Sequence, residues 1–361
     1  MVYKPNKAIH PGYVVAEALN REGMTQKNLS ERTGLSEKHL SQIINGEASI
    51  TVETALLLEN ALGGAASFWI NLEKGYQENK ARIERMAQVE KELGLVSKFP
   101  YNELVKRGYV EKTNNRYEKV ENLWKFFAAN SLYFIQTLYF YQTTESIAYR
   151  KKSEITVKNE AIAAWLRCGE LESKKIILPA YSESKLKQSL TEIKHLSTKS
   201  PEEFSEEVKK VLSEAGVGLV YVDHFPGTGV SGAVRWINNN PLIQLSVYRA
   251  YADIFWFNLY HEIAHLILHS KKEKFIEFKN KELSLVKEQE READKFAGDA
   301  LIPEKNYREL VTNAVITKRD IINLAKKLEI HPDIVAGRLC HDEKAKWNEV
   351  FDLRRKLKIV P

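Results

Sequence analysis

The sequence predicts an α+β protein, predominantly helical, built from more than one domain. Three observations lead there. The chain has 361 residues, more than one hydrophobic core usually serves. Its first quarter shows helical signals between clear breakers, with no period-two alternation. After Gly216 short β-type runs appear just ahead of an unbroken apolar helix that carries two histidines. With 43% hydrophobic and 28% charged residues, the composition is that of an ordinary globular protein.

Four segments follow from the pattern: a small all-helical domain over 1–77, a helical linker or middle region over 78–210, a domain with a small sheet and the histidine helix over 211–345 and a tail over 346–361. A charged stretch from Glu78 to Glu92 reads as a solvated connecting helix ended by Gly94. The middle region supplies aromatic residues for a core (Trp124, Phe126, Phe127, Tyr133, Phe134, Tyr139, Phe140) and is otherwise silent on function. Val217 to Val222, Ala233 to Ile237 and Leu242 to Ser246 read as strands, the last two joined by Asn238-Asn239-Asn240-Pro241, which is turn chemistry. No stretch reaches the ~20 apolar residues that span a bilayer, and the N-terminus has no secretory pattern, so a cytoplasmic location without a membrane partner is expected. The two cysteines, Cys168 and Cys340, form no CxxC arrangement, and any metal must be held by His and carboxylates.

In the first domain, Thr25-Gln26 opens a helix, Gly34 ends it, and Ser36 caps a second helix running to Asn45-Gly46. Leu40, Ile43 and Ile44 share the inward face. Glu37, Lys38, His39, Ser41 and Gln42, with Gln26 on the preceding helix and Ser36 at the cap, form the candidate surface for the DNA major groove. The net charge of +6 is compatible with a nucleic-acid partner and does not demand one.

In the third domain, His261-Glu262-Ile263-Ala264-His265 puts two imidazoles at i and i+4 on one helix face, where both reach one zinc ion, with Glu262 beside them to take a proton from water. A rigid helix carries His269 about 6 Å beyond His265, so it reads as a helix-end residue or one that supports the ligands from behind. The third donor is sought among Glu288, Glu290 and Glu292. Glu292, one turn before Phe296, is the preferred candidate, while Glu288 and Glu290 are compatible with a solvated charge run. No group for the oxyanion stands out; Arg235 and Tyr221 have only their residue types to recommend them.

His10-Pro11-Gly12, Thr25 to Ser30, Gly34-Leu35-Ser36, Leu40 to Gly46 and Phe68 to Leu72 resemble the XRE-type helix-turn-helix fold in its HigA-like antitoxin branch, over about residues 7–77. The resemblance implies a five-helix, lambda-repressor-like domain, a homodimer, and binding to double-stranded operator DNA. His261 to His269, Glu290 to Ala297 and Leu301-Ile302-Pro303 resemble the ImmA/IrrE metallopeptidases, over about residues 210–340. That resemblance implies a minimal gluzincin-like fold, zinc as cofactor, Glu292 as third ligand, and a repressor-type protein as substrate. The competing expectation is a repressor that binds operator DNA and a toxin partner, with a zinc domain that does not catalyse.

Overall fold

The computed structural model describes residues 7–136, 138–139, 148–151, 159–226, 228, 230–247, 251–269 and 282–357. The chain divides into two compact units, Met1–Gly94 and Leu95–Pro361.

The first unit is helical: α1 (Gly12–Arg21), α2 (Gln26–Thr33), α3 (Glu37–Ile44), α4 (Val52–Leu62) and α5 (Ala66–Glu92). Residue 77, where the composition changes, lies inside α5. Thr25 caps α2 in a reciprocal box with Asn28, and Gly34 ends the helix at a left-handed φ of 73° that an L side chain resists. Ser36 then caps α3 by accepting from the His39 amide at 3.2 Å. Val15, Leu29, Leu40, Ile43, Leu58 and Trp69 close a core in this unit, with Ile44 packed at its margin. Glu73 is buried with them, and its carboxylate accepts from the Ile50 amide at 3.0 Å.

The second unit contains α6 (Tyr101–Lys106), α7 (Arg116–Phe127), α8 (Phe134–Gln136), β1 (Ala148–Lys151), α9 (Asn159–Ser173), α10 (Glu183–His195), α11 (Pro201–Glu214), β2 (Gly218–Tyr221), β3 (Val230–Ile237), β4 (Asn240–Leu245), α12 (Ala252–Leu268), α13 (Glu282–Leu301), α14 (Glu304–Val311), α15 (Lys318–Lys327), α16 (Pro332–His341) and α17 (Trp347–Val350). The sheet runs β1-β3-β4-β2, with β2 parallel to β4 and the other pairs antiparallel. Asn238 and Asn239 take positive φ values of 49° and 70°, the geometry of a two-residue hairpin, and set the register Ile237 opposite Asn240.

Residues 95–210 are part of this second unit. Trp165 in α9 donates to Val222 O at 2.7 Å, and Gln244 of β4 donates to Trp165 O at 2.7 Å, so α9 lies on the sheet. Trp124, Phe126, Phe127 and Tyr139 are buried as expected, whereas Tyr133 and Phe134 are exposed and Phe140 lies outside the described residues. Strand β1 was not foreseen in a region read as mostly helical. The tail is also built in: Arg354 makes a two-pronged ion pair with buried Asp253 at 2.8–3.1 Å and stacks on Tyr251, while Arg355 pairs with Asp333 at 2.8 Å.

Helix α12 forms the centre of this unit, packed on α13, α16, β3 and β4. Its Trp256, Leu259, Tyr260 and Ile263 are fully buried, which is why the sequence shows apolar residues on every side of the histidines.

In the first unit, Gly12 marks the tightest constraint, since a Cβ there would lie 2.0 Å from Ile43 O at the end of α3. Gly12→Ala is therefore expected to lower the stability of this unit by about 1–3 kcal/mol, through overpacking, in urea unfolding followed by far-ultraviolet dichroism. An unchanged midpoint would show that α1 and α3 need no such close approach.

Candidate metal centre and nucleic-acid interface

His261 and His265 project from consecutive turns of α12, their Nε2 atoms 3.1 Å apart. Glu290 of α13 meets both, with Oε2 3.3 Å from His261 Nε2 and Oε1 3.5 Å from His265 Nε2. Ligands held 2.0–2.1 Å from a tetrahedral zinc ion stand about 3.3 Å from one another, close to the spacing of the two Nε2 atoms and of each from one Glu290 oxygen, a different oxygen for each histidine. Among the described residues, His261, His265 and Glu290 form a His/Glu group able to hold a metal ion. The far side of each imidazole is also engaged: His261 Nδ1 lies 2.9 Å from Asp294 Oδ1, and His265 Nδ1 lies 2.9 Å from His269 Nδ1. Such support from behind is what a ligating histidine needs to present the correct nitrogen.

The acid that the structure sets beside the two Nε2 atoms is Glu290, whereas the sequence favoured Glu292. Glu292 is turned away from the two Nε2 atoms: its Oε2 sits 3.1 Å from His269 Nε2, and its side chain is 55% exposed. The reason is helical phase. The stripe of α13 that meets α12 is marked by Ala293 and Ala297, both fully buried, and Glu290 is one turn ahead of Ala293 on that stripe. Glu292 was matched instead to Phe296, which is only partly buried. Glu290 and Asp294, at i and i+4, were the signal available in the sequence and missed there.

Burial disfavours charge on both imidazoles but does not decide both. At His261 it is outweighed by Asp294, Glu290 and Glu262, which raise its pKa. At His265 burial is joined by repulsion from His261 and His269, and the pKa falls. Glu262 is 1% exposed, and β3 passes so close that a Cβ on Gly232 would lie 2.3 Å from Glu262 Oε1. A glycine at this position was not singled out from sequence. Arg235 and Tyr221 serve the fold: Arg235 donates to Leu166 O, and the Tyr221 hydroxyl donates to Ser205 O at 2.9 Å. Asp253 is held by Arg354 and Tyr260 donates to Leu190 O.

In the first unit, Gln26, Glu37 and Lys38 are exposed, and His39, Ser41 and Gln42 are half-buried on the outer side of α3. Ser36 is exposed too, but its hydroxyl serves as the cap, and Ser41 Oγ accepts from Asn45 Nδ2 at 3.2 Å. Lys38 and Gln42 stand one turn apart on the free face.

Residues 15–69 match the helix-turn-helix family, and residues 219–339 match the IrrE N-terminal-like domain. The curated relative "Virulence-associated protein I" of Dichelobacter nodosus is 30% identical over 81 residues, which are 22% of this chain and 75% of the relative. An addiction module antidote protein of the HigA family from Coxiella burnetii is 33% identical, with 24% of this chain and 95% of that chain covered and a TM-score of 0.22. An antidote protein of a plasmid maintenance system from Nostoc punctiforme is also 33% identical, with 24% and 93% covered and a TM-score of 0.23. Among the described residues no helix is long and apolar enough to cross a membrane. With its capped α2 and α3 and its His/Glu centre on α12 and α13, the chain belongs to the XRE-type helix-turn-helix family through its N-terminal unit and carries an ImmA/IrrE-type, peptidase-related domain in its second.

Proposed function

We propose that this chain is a DNA-binding regulator that hydrolyses a peptide bond in a repressor-type protein, at a zinc centre held by His261, His265 and Glu290. The observation that carries this reading is the convergence of the three donors beside a buried Glu262. Zinc in that position supplies a water of lowered pKa and a Lewis acid for the scissile carbonyl. Glu262 accepts the proton of the attacking water and passes it to the amide nitrogen as the C–N bond breaks, so one carboxylate serves as base and then as acid. Gly232 keeps β3 against that carboxylate and limits its excursions.

The substrate assignment rests on two family resemblances carried by one chain. An ImmA/IrrE-type unit, whose resemblance implies repressor substrates, shares its chain with an XRE-type unit. Covalent linkage raises the effective concentration of such a neighbour to roughly millimolar when the connection permits contact. The substrate is then this chain's own repressor unit or a partner that dimerises with it. Operator binding falls to α3, where Lys38 suits guanine or phosphate and Gln42 suits adenine.

Elemental analysis of purified variants separates the candidate ligands: His265→Ala and Glu290→Ala are expected to lose the stoichiometric zinc, and Glu292→Ala to keep one ion per chain. The opposite pattern for the two glutamates would return the third position to Glu292.

Glu262→Gln should keep the zinc and abolish cleavage of co-expressed repressors encoded beside the gene, whereas the wild type should yield a fragment that a chelator suppresses. Equal behaviour of the two proteins, with zinc in both and no fragment from either, would favour a repressor with a toxin partner and a non-catalytic centre.

For the DNA surface, Lys38→Ala and Gln42→Ala are each expected to weaken operator binding by about 1–3 kcal/mol at fixed salt if they reach base edges, with the fold intact. A Lys38 contact to phosphate alone would instead reduce the salt slope by about one unit. Gel-shift affinities equal to wild type in both variants would exclude α3 as the reading helix.

A further inference from the structure

The two histidine donors are supported differently. Behind His261 a carboxylate stands directly, Asp294 at 2.9 Å from Nδ1, whereas the group behind His265 is another imidazole. His265 Nδ1 is 2.9 Å from His269 Nδ1, and His269 Nε2 is 3.1 Å from Glu292 Oε2. An imidazole that offers Nε2 to a metal carries its proton on Nδ1, so His265 must donate and His269 Nδ1 must accept. A neutral His269 that accepts at Nδ1 carries its own proton on Nε2, where Glu292 accepts it. One arrangement of protons satisfies both contacts, and it runs outward from the centre to a carboxylate.

We infer that His269 and Glu292 are positioning residues: a two-step hydrogen-bond chain that fixes the tautomer and ring orientation of His265 and so aims its Nε2 at the metal. The inference rests on the metal-centre reading above and deepens it. Local backbone geometry makes the chain possible. Helix α12 ends at Leu268, and His269, its C-cap at φ −110° and ψ 101°, holds its ring 5.0 Å from that of His265, centroid to centroid. The four-residue spacing is the one at which helix side chains meet, and His261 and His265 approach in the same way at 4.8 Å. Glu292, about 200° around α13 from Glu290, is on the flank that meets His269 and not on the face that meets the donor atoms. Glu292 therefore acts on the centre through His269 and His265, which accounts for a second acid two residues from the ligand. Each donor histidine thus ends on a carboxylate, His261 in one step and His265 in two.

The test is zinc affinity of the full-length protein, by competition with a chromogenic chelator, together with the visible absorption spectrum of the Co2+-substituted protein. Loss of support behind a ligating histidine weakens metal binding by about 10–100-fold, so His269→Ala should fall in that range and alter the Co2+ bands. His269→Asn, whose side-chain oxygen can accept where Nδ1 did, should recover much of the affinity. Glu292→Ala, on an exposed position, should keep its fold and show a smaller loss in the same direction. Wild-type affinity and an unchanged Co2+ spectrum in both alanine variants would overturn the inference while leaving the metal centre intact, and so would a lowered Tm with unaltered affinity. If His269→Ala does not fold, Glu292→Ala decides by the same two measurements. Absence of zinc from the wild type would overturn the metal-centre reading and this inference together.

Discussion

The second unit depends on one close approach, that of α12 to α13. Ala264 on the first helix and Ala293 and Ala297 on the second are fully buried, and small residues at such a contact let two backbones come near enough for short acidic side chains to reach across. Glu290 and Asp294 are one turn apart on the approaching stripe, and that is why Glu290 meets both Nε2 atoms while Asp294 meets the Nδ1 side of His261. The position of α13 is fixed at its other end by Arg338 of α16, which donates to Gly298 O at 2.6 Å and Ile302 O at 2.9 Å and stacks on Tyr307. A lateral slip of α13 would break these bonds and the donor set at once.

The buried ion pairs serve the same end. Asp253 opens α12 in the interior, and burial pushes its carboxyl above the usual range even with Arg354 beside it. Removing either partner would leave a charge uncompensated in the core, which is costly, whereas the intact pair contributes little net stability. What it does is fix place: Arg354 brings its own segment to the start of α12, and Tyr251 pairs with Lys356 in a bridge there. The segment read as a tail is thus part of the frame that holds the histidine helix.

Much of this was legible in the sequence where one residue type has one physical use. Ser36, Gly34 and Thr25 announced the caps and the break of the helix-turn-helix, and the Asn238-Asn239 pair announced the hairpin. The spacing of His261 and His265 announced the donor face. Strand β1 was illegible because Ala148-Tyr149-Arg150-Lys151 has neither apolar alternation nor β-branched residues, and its pairing partner β3 is about eighty residues further on. Which of Glu290 and Glu292 stands beside the two Nε2 atoms was illegible for a different reason. Both fit an amphipathic helix, and only the burial of Ala293 and Ala297, a tertiary fact, sets which flank faces α12. The close pass of Gly232 against Glu262 is also tertiary.

The acids around the histidines explain why this helix pair is built as it is. Glu262, Glu290 and Asp294 gather three carboxylates about two imidazoles, and Glu262 is all but removed from water. Glu290 and Asp294 keep contact with water, their side chains 30% and 45% exposed, so the demand for cationic compensation is strongest at Glu262. His261 meets part of that demand by holding its proton more firmly than a free imidazole does, under the pull of Asp294, Glu290 and Glu262 against the opposing effect of burial. The same field that retains a proton there favours a divalent cation more strongly, because attraction scales with charge. The donor spacing, the hydrogen bond behind each imidazole and the gathered carboxylates draw on the same few residues, Glu290 and Asp294 above all, and together they fit a cation-binding site better than one shaped by packing alone.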